Sequence, residues 1–541
     1  MTRLGLCFAF VGCACVLGCL SGNKKSDALL TAEGVVVNGV NVTDAEWRYE
    51  PDGVAVRYRL PSGKREISEE STFWTLPENA MCWYQVGVRD YESPYCWGEV
   101  KDVPKGKMLA LPITFRLADG TYRLITEANL VDYTDLAVVY EGGGRFVAKY
   151  HAEKGPFLQS GSDTTPWRVM IVARDLNDLV HSDLVRRLCP PPSNQKSMSI
   201  AKPGRAIWQW LPSGGPKYAE QKDWYDKTAA LGFEYYLIDA GWKKWTEEGK
   251  DQWTCLKSVI DYGLSVGVKT AIWVDSKEIP TAEKRREYLR RVAETGAVGI
   301  KIDFIPLCDA KWCKWYEETL ADTAEFGLFV DFHGAVKPTG RERTWPHELA
   351  REAIRGHEYH ITRYNRILPP EHDTILPFCR LVQGHGDYTP VVLQPDQLIH
   401  FTWSRQVAQG IVMSCPFLCF GDYPANYLNS PMVEIIKKMS SVYDETLVLP
   451  GSEIGNCVAL AKRTGGRWFI AVENASQLRT MELPLGFLAN GRWRLVGFKD
   501  HRSGRLDACE REEFTVEPTD VLKVELNSCG GYVALLEPVG S

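Results

Sequence analysis

The sequence predicts a multidomain protein of mixed α/β and β class: a central (β/α)8 barrel, an N-terminal β-sandwich before it and a C-terminal antiparallel β-domain after it. Three observations predict this. At 541 residues the chain is too long for one ordinary core, so two or three domains are expected. The rhythm changes from short alternating runs to strand, loop and helix near residue 198, and back to alternation near residue 445. Within the middle stretch, apolar strands end repeatedly on carboxylates and tryptophans, as at the open end of a barrel.

The first 19 residues carry one early Arg and an apolar run that stops at Cys19, the length of a signal peptide and too short to span a membrane. Val16-Leu17-Gly18-Cys19 matches a bacterial lipobox, in which the Cys is acylated; an ordinary signal sequence with incidental cysteines is the alternative. The expectation is an exported protein, in the periplasm or on the outer membrane of a Gram-negative bacterium. Residues 27–190 form the first β-domain, with runs such as "GVAVRYRLP" and "GTYRLITEANL". The glycine-rich "EGGGRF" precedes no helix start and reads as a turn, not a phosphate cradle. "CPPPSNQKS" closes this domain as a linker.

Over residues 198–444 eight strands are expected, at "RAIWQW", "EYYLIDAGW", "VKTAIWVD", "VGIKIDF", "LFVDFHG", "YHITRY", "ILPFCR" and "SCPFLCFGD". Helical stretches separate them; "TAEKRREYLRRVAETG" opens on a Thr cap and closes at Gly296. Residues 445–541 return to alternation with hairpin turns, as in "CVALAKRTGGRWFIAVEN".

Composition narrows function. The net charge is -6, and no basic tract interleaved with aromatics is present, which disfavours a nucleic-acid role. Twelve of the 16 cysteines lie beyond Cys19, and the close pair Cys308 and Cys313 lacks partners at zinc spacing, so no zinc site is assigned. Eighteen Trp and 23 Tyr point another way, because indoles stack on sugar rings.

The strand ends gather Trp208, Trp210, Asp239, Trp242, Asp275, Lys301, Asp303, Asp331, His333, Glu358, Asp387 and Asp422. Carboxylates supply acid, base or nucleophile in glycoside hydrolysis. Each of these Asp residues has a bland reading as a strand end or helix cap. Lys301 and Asp303 are two apart on one strand and share a face, while Ile300 and Ile302 take the other. In "FHGAVKPTGRERTWPHELAREAIRGHEY", Pro346 and the apolar residues after it suggest a short helix ended by Gly356. Glu352 and Glu358 are six apart, so one continuous helix would not aim both at one point.

The motifs "YRLITEANLVDY", "GFEYYLIDAGW", "GIKIDF", "FHGAVKPTG", "REAIRGHEY" and "LPFCRLVQGHGDYTP" resemble glycoside hydrolase family 97, exported bacterial enzymes acting on α-linked sugars. The resemblance runs from about Trp47 to the end and implies the same three-domain layout. Inverting members of that family carry Glu directly after the His of the fifth strand; here Gly334 follows His333, and the fourth strand ends on Asp303. The resemblance therefore implies the retaining branch, with Asp303 as nucleophile and Glu358 as acid/base. Such a pair stands about 5 to 5.5 Å apart. The family match also implies a calcium ion held by Glu127, Glu352 and Glu358, a set of oxygen ligands that suits this ion. Lys301 is expected to favour the ionised form of Asp303. His333 is expected to be neutral, bonded either to a sugar hydroxyl or to a loop carbonyl; Asp239, Trp242, Lys301 and Asp387 are expected around the substrate.

The resemblance implies a retaining, exo-acting α-galactosidase. α-Glucosidase and β-L-arabinopyranosidase activities lie in the same class, and an inactive sugar-binding lipoprotein lies in another; the presence of both Asp303 and Glu358 argues against the last. The sandwich is short for the family, and the loop "FIPLCDAKWC" after Asp303 matches no defined subgroup.

Overall fold

The computed structural model describes residues 28–88, 91–247, 249–306, 308–360 and 367–540. The candidate signal peptide and Cys19 lie outside these residues, as does most of the expected strand "YHITRY".

The N-terminal β-domain is built from 13 strands, with a path that runs from Val40–Val42 through Arg65–Thr75 and Tyr122–Ala128 to Ala45–Glu50. Its inner faces bury Trp74, Leu111, Ile113, Phe115, Ile125 and Phe146. This is the alternation expected of packed antiparallel sheets.

Among the described residues the central domain contains seven parallel strands: β1 (Gly204–Trp208), β2 (Tyr235–Ile238), β3 (Lys269–Asp275), β4 (Gly299–Asp303), β5 (Phe329–Phe332), β6 (Glu348–Arg351) and β7 (Phe417–Phe420). They pair in the order β6-β5-β4-β3-β2-β1-β7. Helices α1 (Gln221–Leu231), α2 (Gln252–Ser265), α3 (Ala282–Glu294), α4 (Ala310–Phe326) and α5 (Trp403–Val412) accompany them. Side chains of Asp251, Thr281, Asp309 and Thr402 cap α2 to α5 by accepting from a backbone N–H three residues on.

Of the eight expected strands one is corrected, and the sixth, "YHITRY", lies mostly outside the described residues. Strand β6, Glu348–Arg351, falls inside the stretch read above as a short helix; its backbone pairs with β5, where Asp331 lies beside Ala350. The expected seventh, "ILPFCR", ends the helix Pro370–Ile375 and continues as 3-10 turns, with Pro377 unable to donate to a ladder. Its place is taken by an irregular run: Asp387 donates to Arg351 (3.3 Å) and Gly421 donates to Pro390 (3.1 Å), which links β6 to β7. Thr389 and Val391 adopt φ of 57° and 67°, so this run forms no regular strand.

The barrel is filled from below by rings. Tyr235, Phe329 and Phe417 meet with centroids 4.8 to 5.6 Å apart. A Cβ on Gly299 would stand 2.3 Å from the Phe329 ring, so the absence of a side chain on β4 makes room for this plug. The apolar floor leaves the polar residues of the upper layer at the other end.

The C-terminal domain packs six strands, Glu445–Val448 to Gly531–Pro538, over α5, with a separate pair Arg479–Pro484 and Val521–Leu526. Buried Arg405 of α5 bonds Asp373 (3.0 Å) and reaches Glu473 of the C-terminal sheet (3.7 Å).

Candidate active site

The strand register builds the site. Trp273, Lys301 and Asp331 lie side by side on β3, β4 and β5, and Asp275 beside Asp303 one step higher. Neighbours in a parallel ladder share a face, so β3 to β5 present a polar layer above the aromatic plug.

Asp303 ends β4 and accepts from the Trp273 indole (2.9 Å) and from the Phe304 N–H (2.7 Å). Burial pushes its carboxyl above the ordinary value, against the pull of His333 and Lys301. Lys301 acts in the expected direction, but desolvation is the larger effect. Its ammonium bonds Asp239 (3.1 Å) and lies 4.2 Å from the centre of the Trp208 ring, whose indole also donates to Asp239 (2.6 Å). Burial opposes that charge, yet Asp239, Asp303, Asp331 and Asp387 more than offset it and raise the Lys301 pKa.

His333 is corrected from the neutral form. Its Nδ1 faces Glu352 (2.9 Å) and its Nε2 faces Asp387 (3.2 Å). Burial disfavours the imidazolium, but Glu352 and Asp387 outweigh it and hold the pKa well above the ordinary value. Both ring nitrogens therefore donate to carboxylates, leaving neither for a loop carbonyl. Glu352 also accepts from the Gly334 N–H (2.6 Å); despite burial, His333 and this bond hold it below the ordinary range.

Glu358 sits on the 3-10 turn His357–Tyr359 after the break at Gly356. Burial and the Glu352 charge push its pKa up to about 7, with Asp303 adding to the rise. A carboxyl raised in this way holds its proton near neutrality, as an acid requires. Asp303 and Glu358 keep partial exposure, whereas Asp239, Asp331, Glu352 and Asp387 are buried. Asp275, beside Asp303, is partly exposed as well, but its side chain is engaged by the Lys277 N–H (2.9 Å).

Glu352 and Glu358 meet a third carboxylate, but it is Glu92 and not Glu127; one ligand oxygen from each of the three lies within 4.8 Å of the others. Glu127 is corrected as a ligand. It is fully buried between Lys337 (2.6 Å) and Arg168 (2.8 Å) and accepts from Leu136 N (3.0 Å), which commits its oxygens elsewhere. Glu92 arrives from the N-terminal domain and is held by Tyr359 Oη. A set of three carboxyl groups, two of them buried, offers the oxygen-only donors that suit a hard divalent cation. Asp331 and Glu358 are both raised by burial and by neighbouring carboxylates, the sign of crowded negative charge that such an ion relieves. Asp331, His333 and Asp387 also approach one another, but there Lys301 and His333 already supply the positive charge.

Trp242 is corrected to a core residue. It is fully buried, its indole donates to the Trp273 carbonyl (3.1 Å) and its ring meets Trp253 edge-on. Asp275 caps the turn after β3, and Asp422 accepts from Leu393 N and Tyr423 N; both have the capping role that strand-end Asp commonly takes. Trp273 was missed, although it shares a face with Asp275 two residues on. Glu92 was also missed, and no local pattern marks it, because its role depends on another domain.

A barrel that ends in carboxyls among indoles has the layout of a carbohydrate-cleaving hydrolase. Three family models match the chain: Glycosyl-hydrolase 97 N-terminal over residues 32–191, Glycoside hydrolase 97 over residues 199–354, and Glycosyl-hydrolase 97 C-terminal, oligomerisation, over residues 442–537. A "Probable retaining alpha-galactosidase" of Streptomyces bingchenggensis is 30% identical over 499 residues, covering 90% of this chain and 76% of that protein. A "Retaining alpha-galactosidase" of Bacteroides thetaiotaomicron is 26% identical, covering 90% and 82%. The chain belongs to glycoside hydrolase family 97 and is a glycosidase. Its fold is shared with a family 97 enzyme of a Pseudoalteromonas species solved with acarbose (TM-score 0.83, 20% identity, 95% of this chain and 88% of that one). It is also shared with a β-arabinopyranosidase (TM-score 0.80, 23% identity, 91% and 84%).

Proposed function

We propose that this glycosidase is a retaining, exo-acting α-galactosidase in which Asp303 attacks the anomeric carbon and Glu358 protonates the leaving oxygen. The observation that carries the reading is the pair itself. Asp303 and Glu358 both keep partial exposure, and Glu358 is held near 7 by burial and Glu352. Gly334 supports the retaining course, since it stands where an inverting relative keeps its base. The names of the two relatives support the sugar. Trp273 holds Asp303 in line, while Lys301 and His333 offset the negative charge around it. Once the aglycone leaves, Glu358 is ionised and takes a proton from the water that cleaves the glycosyl-aspartate.

Glu92, Glu352 and Glu358 are proposed to hold calcium, which would supply fixed positive charge beside the acid. The exported, lipid-anchored state at Cys19 is likewise proposed from the leader sequence.

Nitrophenyl α-galactoside, α-glucoside and β-L-arabinopyranoside separate the substrate readings. Cleavage of the first is expected to dominate, and inactivity on all three overturns the reading. Asp303→Gly is expected to lose at least about 10³-fold in kcat while retaining binding, and added azide is expected to restore turnover as a β-glycosyl azide. Full activity of that variant refutes the nucleophile.

A further inference from the structure

Helix α4 begins directly after the loop that follows Asp303, and its first turn is unusual in composition. Asp309 is the N-cap and accepts from the Trp312 N–H (2.8 Å). Cys308 and Cys313 therefore occupy the positions just before the cap and four residues into the helix. Those are the two places where apolar side chains normally pack together to fix the angle at which a chain enters a helix. Here both are thiols, both are buried, and their sulfurs stand 2.7 Å apart. Among the described residues no other two cysteine sulfurs are in such contact.

The loop is tied on both sides. The Cys308 carbonyl accepts from Asp135 N (3.1 Å) and the Ala310 N–H donates to Glu153 (2.8 Å), so the N-terminal domain grips it. At its start Phe304, with φ of 57°, donates its N–H to Asp303 and accepts from Ser276 Oγ through its carbonyl (2.9 Å). The angle of the loop thus bears on the backbone that orients the Asp303 carboxylate.

We propose that Cys308 and Cys313 form a disulfide in the exported protein, a covalent staple across the start of α4 that fixes the loop after Asp303. The oxidant is a disulfide, carried by a thiol oxidoreductase or a small molecule. One cysteine thiolate attacks it, releases the first reduced thiol and leaves a mixed disulfide. The second cysteine then displaces the other thiol, and the two cysteine protons end on the two released thiols. Burial raises both thiols above their ordinary pKa, so exchange in the folded state is slow and the bond forms while the chain is folding. The inference does not rest on the sugar assignment; it rests on the leader sequence only for the compartment that supplies the oxidant.

Lys311 lies between the two cysteines, which makes the bond directly readable. The full chain, exported from a Gram-negative host by its own leader and purified without reductant, is denatured in N-ethylmaleimide and cut with trypsin. The expected product is residues 302–311 joined to residues 312–314, separated by reductant. Thermal unfolding supplies the second readout: reductant is expected to lower the midpoint by about 1 to 3 °C in the native protein and to leave Cys308→Ser/Cys313→Ser unmoved. Maleimide on both peptides in most molecules overturns the proposal, and so does a linked pair that appears only after a strong oxidant is added to the purified protein.

Discussion

Gly334 holds a φ of 51° next to His333, and a Cβ there would stand 3.2 Å from Phe304 N and 3.4 Å from an Asp303 oxygen. A side chain would be strained by roughly 1 to 3 kcal/mol and would crowd the Asp303 carboxylate and the backbone N–H that it accepts from. Gly334→Glu is therefore expected to lower kcat/KM on the best glycoside by more than about tenfold without creating an inverting enzyme; wild-type kinetics in that variant would show that the crowding is absent. Asp303 stood out in the sequence because the strand Gly299–Asp303, apolar apart from Lys301, ends on it and Lys301 shares its face. Trp242 misled for the opposite reason: a Trp after a strand tip looks like a sugar platform, and nothing local shows that Trp253 covers it. The charge of His333 was hidden too, since its two carboxylate partners lie 19 and 54 residues downstream, at Glu352 and Asp387.

The elements that the sequence announces are those with self-sufficient signals. Strands β2 to β4 are apolar runs followed by helices that Asp251, Thr281 and Asp309 cap, and the carboxylates at their tips, Asp239, Asp275 and Asp303, fall at the open end. Strand β6 has no such signal. Its four residues "ELAR" are too few to show a period, and the apolar residues around them fit a helix equally well. One strand of the C-terminal domain, Cys457–Thr464, carries a testable cost. Lys462 is buried against the barrel, where its ammonium donates to Ser414 Oγ (2.8 Å) and lies 5.3 Å from the Tyr443 ring centre. Burial lowers its pKa to about 7. A lysine with a depressed folded value binds more protons when unfolded across the window between about 7 and its ordinary value of 10.5. Stability from this group is complete above that window and is lost as pH falls through it. Lys462→Met removes the dependence, so its stability relative to wild type is expected to be greatest near pH 7 and to shrink by roughly 2 to 4 kcal/mol towards pH 10. Parallel urea midpoints for both proteins across pH 7 to 9.5 would contradict the assignment.

At the scale of the molecule, the active site is completed from outside the barrel. Lys337, reaching out from the loop after β5, is buried between Glu127 and Asp135 of the N-terminal domain and also donates to Tyr91 Oη (3.1 Å), one residue before Glu92. This clamp holds the segment that brings Glu92 to Glu352 and Glu358. The three-domain order was readable from the changes in rhythm, but the carboxylate that the N-terminal domain brings to Glu352 and Glu358 was not, because Glu127 and Glu92 are both acidic residues of one β-domain and only packing separates them. Calcium at about 100 times its Kd is expected to stabilise the protein by about 2.7 kcal/mol, and Glu92→Gln is expected to lose most of that gain while Glu127→Gln lowers stability and retains the calcium response. An equal calcium response in Glu92→Gln and wild type would remove Glu92 from the site. The central claim, a covalent glycosyl-aspartate on Asp303, is tested most directly by proton NMR of the first sugar released from nitrophenyl α-galactoside. Two displacements at the anomeric carbon predict the α-anomer, followed by slow mutarotation. The β-anomer appearing first would contradict the account.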